Sequence, residues 1–446
     1  MSKSGTSMKR VAGASFVGAL MEWYDFFLFG TASAIVLNKL FFPELDPVVG
    51  TIAAFASFAV GFLARPLGGL VFGHFGDKIG RKSILVITLL MMGGSTFAIG
   101  LLPTYQSIGI WAPILLVLLR LFQGFALGGE YGGASLLMIE HAPRKQRGFW
   151  GALLQSATPL GLLLASGTFT IVTILPEAQF LAWGWRVPFL ISIILLAVGS
   201  FIRFKVQETP AFQEVKDSGK EVKLPIVELF KSYPKNILIA FGARLGETVS
   251  FNIFNVFVIS FVNTQLGLSS NIALTGVFVA SAVAVVISPL FGAISDRIGR
   301  KPVYLFGTSF LVIFAFPFFL LLQTKIAIVI YLAITLGYVL GTTALFSIQS
   351  VFFTEMFGTR VRYSGLSFVY QVSGIIGGFT PLIASTMLLG SNGIIYISLF
   401  LAGVSIISLT AALFARETYK KDISELEKSM EDNQLEIDSV GYLKAD

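Results

Sequence analysis

The sequence predicts an all-α integral membrane protein with twelve transmembrane helices, arranged as two parallel six-helix repeats. Three observations carry that prediction. Charge is scarce: of 446 residues 55% are apolar and only 13% charged, with a mean hydropathy of +0.81. A soluble domain carries about 25% charged residues, so lipid must take the place of water over most of this surface. Twelve apolar runs are long enough to cross a bilayer, and short sequence marks recur from the first six to the last six.

The runs fall at 11–37, 50–73, 84–102, 110–139, 149–175 and 184–204, then at 236–263, 271–294, 303–323, 326–353, 363–389 and 392–415. They divide the chain into a first bundle (1–204), a central loop (205–235), a second bundle (236–415) and a tail (416–446). The first run holds Glu22 and Asp25, which a signal-peptide core should not carry, so no cleavable signal is expected. Of the 32 Lys and Arg, 26 lie in the two termini and the even-numbered loops; the other side holds Lys39 and Lys325. That asymmetry puts both termini and the central loop in the cytoplasm. The net charge of +7 is spread over these small clusters, which argues against a nucleic-acid surface. The absence of Cys removes disulfides, thiolate metal sites and cysteine nucleophiles.

The repeat is explicit. Gly73-His-Phe-Gly-Asp77-Lys-Ile-Gly80-Arg81-Lys82 after helix 2 returns as Gly292-Ala-Ile-Ser-Asp296-Arg-Ile-Gly299-Arg300-Lys301 after helix 8, 219 residues later. Glu140 and Arg147 return as Glu355 and Arg362, and Gln207-Glu208-Thr209 as Arg416-Glu417-Thr418. Asp77 and Asp296 sit where a carboxylate can cap the N-terminus of a neighbouring helix. Arg81, Glu140 and Arg147, and likewise Arg300, Glu355 and Arg362, can form bidentate charge networks. The plain alternative is that these charges only set topology. The sharper reading is a cytoplasmic latch that holds helices together in one conformation and breaks in another.

Inside the spans stand four acids, Glu22, Asp25, Glu130 and Glu247, and four arginines at comparable depth, Arg65, Arg120, Arg186 and Arg244. Such groups are costly in lipid and mark a functional path by default; equal numbers suggest pairing. Asp25 and Arg120 fall at similar height. On helix 4, Arg120, Gln123, Leu127, Glu130 and Tyr131 share an arc of about 100°. Arg244, Glu247, Phe251 and Asn255 share a face of helix 7; Tyr338, Thr342 and Gln349 share one of helix 10. Arg186, beside Trp183 and Trp185, reads as a snorkelling interfacial residue. Arg65 pairing Glu130, and Tyr338, Thr342 and Gln349 as interhelical glue, are the structural alternatives. His74 and His141 lie too far apart for a metal or catalytic pair.

The doubled G-x-x-x-D-[KR]-x-G-R-K loop and the helix 4 stretch Arg120-Leu-Phe-Gln123-Gly124-Phe-Ala-Leu-Gly128 resemble the major facilitator superfamily. Glu22-Trp23-Tyr24-Asp25-Phe26, Arg65-Pro66-Leu67-Gly68-Gly69 and Gly128-Gly129-Glu130-Tyr131-Gly132-Gly133 resemble its metabolite:proton symporter family, which includes shikimate, α-ketoglutarate, citrate and proline/betaine permeases. Trp183-Gly184-Trp185-Arg186-Val187-Pro188-Phe189 and Phe353-Thr354-Glu355-Met356-Phe357-Gly358 look most like the shikimate type. The likeness covers residues 10–420. It implies the major facilitator fold, a place in the bacterial inner membrane, a monomer, a small-molecule substrate with protons, and no cofactor. The tail departs from the osmosensing betaine permeases: only Ile423, Leu426 and Met430 keep heptad spacing, short of the 3–4 heptads a coiled coil needs.

The resemblance and the buried charges together imply proton-coupled import of a small polar metabolite, an organic acid such as shikimate or a dicarboxylate, by alternating access. Arg120 and Arg244 would take the carboxylate in bidentate hydrogen bonds, with Gln123, Glu130, Tyr131, Glu247, Asn255 and Tyr338 around it. Asp25, assisted by Glu22 and ion-paired with Arg120, would take the proton. A betaine or proline symporter is the first alternative. A drug:proton antiporter is the second, although helix 5 reads Ser156-Ala-Thr-Pro159-Leu-Gly161 and lacks the Gly before Pro of the exporter motif. No H-E-x-x-H, nucleophile elbow or Walker loop is present, which argues against an enzyme.

Overall fold

The computed structural model describes residues 8–79, 81–128, 135, 138–139, 142–205, 225–357 and 361–419. The described chain is helical throughout, as it must be where no water is present to satisfy a strand edge. We number the membrane helices α1 Met8–Ile35, α2 Pro47–Ile79, α3 Arg81–Leu101, α4 Trp111–Leu127, α5 Arg144–Val172, α6 Arg186–Lys205, α7 Pro234–Thr264, α8 Ser270–Ile298, α9 Arg300–Gln323, α10 Ala327–Thr354, α11 Arg362–Met387 and α12 Gly393–Phe414. Each occupies a run read from hydropathy. Among the described residues nine segments are long and apolar enough to cross a membrane; Val86–Leu101 and Trp111–Leu127 are shorter apolar helices. Beyond the spans, α2 and α8 continue for further turns past the expected ends at 73 and 294, so the repeated loops begin on helix rather than coil.

Packing reproduces the sequence repeat. In the first bundle α2 packs on α4, α3 on α6 and α1 on α5; in the second α8 packs on α10, α9 on α12 and α7 on α11. Each pair is its counterpart moved on by six helices. The bundles meet along a seam in which α5 packs on α8 and α2 on α11, again one relation repeated. At Gly292 of α8 an added Cβ would overlap the Gly148 carbonyl of α5, so that crossing needs a residue without a side chain.

Hydropathy does not reveal that two helices change their winding. Residues Ile253–Phe257 of α7 and Gly337–Thr343 of α10 are π-helical. Each such insertion turns every later side chain away from the face that a period of 3.6 predicts, and π segments occur often at functional sites. Both lie on helices that border the seam.

Candidate functional site

Within the first bundle a hydrogen-bonded chain joins α3 to α4, with an acid of α1 beside it. Asp25 on α1, almost fully buried, is within hydrogen-bond reach of Thr96 on α3. Gln123 on α4 donates from Nε2 to Thr96 Oγ1 at 2.6 Å, and its Oε1 accepts from Arg120 Nη1 at 3.1 Å. Arg120 also donates from Nε to the Phe58 carbonyl at 3.4 Å. Its guanidinium carbon lies over the rings of Phe29 (4.7 Å), Phe58 (4.9 Å) and Phe26 (5.5 Å). The expected direct Asp25–Arg120 ion pair is therefore not formed in this conformation. The aromatic rings enclose the guanidinium, and two side chains link it to the carboxylate. Arg120 is 1% exposed and lies against rings of α1 and α2, within electrostatic reach of Arg65.

Arg65 and Arg244 face the seam. Arg65 of α2 lies over Phe62 at 4.3 Å and Phe26 at 5.0 Å, within electrostatic reach of Glu22, of Tyr370 on α11 and of Arg244 on α7. Arg244 stacks on the Tyr370 ring at 3.6 Å and pairs with Glu247 at 3.6 Å. With its amide assigned to suit its neighbours, Gln349 of α10 donates to Glu247 at 3.1 Å and accepts from Arg244. Gln371 of α11 donates to the Gly128 carbonyl of α4 at 3.0 Å, a further bond across the seam. Alongside lie aromatic rings from both bundles. Trp23 stacks on Phe27 at 5.4 Å and meets Phe346 at 5.9 Å and Phe251 at 6.3 Å; Phe251 meets Tyr338 at 5.9 Å.

The other expected site residues divide. Glu247 and Tyr338 lie here and within electrostatic reach of one another. Asn255 falls in the π segment of α7, with its Nδ2 donating to the Phe251 carbonyl at 2.9 Å and its Oδ1 buried without a hydrogen-bond partner. Thr342 is glue, bonded to Ser250 of α7 at 2.8 Å. Glu130 and Tyr131 lie outside the described residues, and with them any Arg65–Glu130 pair. Arg186 has a bonded role as well as its place beside Trp185. It donates to the carbonyls of Gly100 (2.8 Å) and Leu102 (2.7 Å), capping the end of α3. Tyr370 and Gln371 were not singled out from sequence; their signal was an adjacent phenol and amide in the middle of a span whose neighbouring polar residues are mostly Ser and Thr.

At the basic face Asp296 accepts the backbone amides of Gly148 (2.8 Å) and Phe149 (2.9 Å), so a carboxylate of the second bundle caps α5 of the first. Arg300 fixes it at 2.7 Å and reaches Glu355 at 3.9 Å. Arg147, expected in the first-half network, stands within electrostatic reach of Glu355 across the seam; its expected partners Arg81 and Glu140 are not among the described side chains. Arg362 donates to the Phe357 carbonyl at 3.1 Å. Glu140 lies outside the described residues, as do the side chains of Asp77, Arg81 and His74 and all of His141. Glu417 has a role the sequence did not disclose. It accepts from the amides of Arg300 (3.1 Å) and Lys301 (2.9 Å) and caps α9, while Thr418 bonds Glu355. Gly299, at φ +108°, makes the turn that presents those amides. At the opposite face Thr173 of α5 bonds Asn271 of α8. The α5–α8 seam is thus closed at both ends.

Comparison with known proteins agrees with this architecture. The family model described as Major Facilitator Superfamily matches residues 15–381. The shikimate transporter of Escherichia coli K12 is 38% identical over 92% of this chain and 95% of its own. The proline/betaine transporter of the same organism is 35% identical over 93% and 85%, and its inner membrane metabolite transport protein YhjE is 38% identical over 92% and 95%. The solved proton:xylose symporter XylE shares the fold at a TM-score of 0.73, with 17% identity over 95% of this chain and 99% of that one. Its relatives are transporters and not enzymes, and the chain is a membrane transporter of the Major Facilitator Superfamily.

Proposed function

We propose that the protein imports a small carboxylate-bearing metabolite, an organic acid such as shikimate or a dicarboxylate, together with protons. It does so as a monomer in the bacterial cytoplasmic membrane, with both termini and the basic face in the cytoplasm. The observation that carries this reading is that Arg65 of the first bundle and Arg244 of the second stand within electrostatic reach of one another across the seam. Two cations from opposite bundles repel in a place walled by aromatic rings, and a carboxylate between them turns that repulsion into a bridge. An anion would then draw the halves together only when bound, which is what alternating access requires.

A betaine or proline substrate is the second reading, and a separate observation favours it. The rings of Trp23, Phe251, Phe346 and Tyr338 gather beside the arginines, and faces of this kind attract quaternary ammonium groups. Both readings share the carboxylate. Purified protein is expected to gain thermal stability with shikimate or with glycine betaine, and addition of that ligand outside proteoliposomes is expected to acidify the lumen. Stabilisation by neutral sugars alone would count against the carboxylate, and a lumen that turns alkaline would indicate antiport.

The latch gives a further expected result. Asp296→Asn weakens two charge-assisted amide bonds and the Arg300 pair, so the cytoplasmically closed state loses on the order of 2 kcal/mol, roughly thirtyfold in population. Transport slows while ligand affinity stays within a few-fold. The native chain has no Cys, and Ser350 of α10 is fully buried against Gly151 of α5, so maleimide labelling of a single Ser350→Cys in inside-out vesicles reads the opening directly. Unchanged labelling combined with lost affinity would remove Asp296 from this role.

A further inference from the structure

Thr96 of α3 is fully buried and carries one hydroxyl proton. Two acceptors stand within reach of it: the Met92 carbonyl at 3.0 Å and the Asp25 carboxyl. Its oxygen meanwhile accepts from Gln123, whose other end holds Arg120. We infer that Thr96 is the positioning residue through which the proton state of Asp25 is passed to Arg120. This inference rests on the reading of the protein as proton-coupled.

The steps follow from donor and acceptor capacity. A charged Asp25 can only accept, so it takes the Thr96 proton in a charge-assisted bond. The polarised Thr96 oxygen is then a better acceptor for Gln123 Nε2, which turns Gln123 Oε1 toward Arg120. A protonated Asp25 has a donor of its own. It gives that proton to the Thr96 oxygen, whose two lone pairs then serve Asp25 and Gln123 at once, and the Thr96 hydroxyl turns to the Met92 carbonyl. Without the charge-assisted bond to Asp25 the Thr96 oxygen is a weaker acceptor, so the Gln123 bond loosens and with it the hold of Gln123 on Arg120. One O–H bond forms on Asp25 as the proton arrives; beyond that, only hydrogen bonds change.

The charged and titratable side chains that α1 and its neighbours present leave this path distinct. On α1 beyond its first turn they are Glu22 and Tyr24, the latter bound to the Pro188 carbonyl at 2.9 Å. The short helix Leu37–Phe41 adds Lys39, α2 adds Arg65, α5 adds Arg147 at its start, α6 adds Arg186, and α7 adds Arg244 and Glu247. From Val86 to Leu101 α3 has no charged residue, so Thr96 is its polar contribution here, together with Ser95, which bonds the Met91 carbonyl at 2.7 Å.

The test compares Thr96→Val, which keeps the shape and removes the hydroxyl, with Thr96→Ser, which keeps the hydroxyl. Proteoliposomes are assayed with radiolabelled shikimate and with glycine betaine, for counterflow and for accumulation on a pH gradient. Thr96→Val is expected to lose accumulation and keep counterflow, and Thr96→Ser to keep both. In purified protein, the infrared carboxyl band that Asp25→Asn abolishes is expected to titrate with a displaced midpoint in Thr96→Val. Thr96→Val accumulating like wild type, Thr96→Ser failing as Thr96→Val does, or an undisplaced Asp25 midpoint would each overturn the inference. Wild-type protein that does not accumulate on a pH gradient would instead sink the symport reading, and the infrared midpoint would still decide the link between Thr96 and Asp25.

Discussion

Arg244→Lys is expected to weaken binding of a carboxylate ligand by about a hundredfold and to abolish measurable uptake at low substrate concentration. A lysine keeps the charge and loses the planar fork. It cannot at once lie flat on Tyr370, where the guanidinium now sits 3.6 Å from the ring centroid, pair with Glu247 at 3.6 Å, and present two parallel N–H groups to a ligand. Losing one charge-assisted bond and leaving buried neighbours badly paired costs about 2–3 kcal/mol, the same hundredfold. Arg65→Lys should act similarly from the other side of the seam. Arg120→Lys should act differently, because Arg120 lies behind Phe26, Phe29 and Phe58. Its affinity should change little while its coupling fails. Isothermal titration with shikimate and glycine betaine distinguishes these cases. Normal affinity for both ligands in Arg65→Lys and in Arg244→Lys would mean that the paired arginines do not hold the carboxylate.

The contrast between Arg120 and Arg65 shows how far the sequence could be read. Hydropathy placed each described helix to within several residues at its ends, and the doubled loop declared the six-plus-six repeat, because both are properties of a single segment. The face each helix presents was legible too, as long as its winding stayed regular: Arg244 and Glu247 are neighbours in the structure as on the helical wheel. Two things were not legible. A helical wheel does not say which neighbour a face meets, so it could not show that phenylalanines enclose Arg120 or that Arg147 stands within electrostatic reach of Glu355 across the seam. Nor does it register an inserted residue. The π segment of α7 begins at Ile253, and within it Asn255 bonds back to the Phe251 carbonyl, a winding the wheel does not contain. Glu417 escaped notice for a third reason: its repeat was visible, but capping α9 depends on a turn at Gly299 whose backbone angle no composition reveals.

Asp25→Asn is expected to abolish accumulation entirely while leaving exchange intact. With one proton per substrate, a difference of one pH unit supports about tenfold accumulation, since each unit is worth 1.36 kcal/mol. The variant should therefore fall from that ratio to one. Asparagine has nearly the shape of a protonated Asp25 and can still offer a donor to Thr96, so the chain from α1 to Arg120 stays permanently in its proton-loaded arrangement. Substrate can bind, the seam can close at either end, and labelled ligand can exchange for unlabelled ligand in counterflow. What is lost is the return of the carboxylate to its charged form on the cytoplasmic side, the step that makes the cycle run one way. Glu22→Gln should be milder. Glu22 lies within electrostatic reach of Arg65 rather than in the Thr96 chain, so its removal should alter affinity more than direction. Counterflow and pH-driven uptake measured on the same proteoliposomes separate the two effects. Accumulation by Asp25→Asn at the wild-type ratio would move the proton to another acid. Glu247 is then next in line, because it is buried beside Arg244 and shares Gln349 with it, the second bundle's counterpart of an acid and an arginine joined through a glutamine.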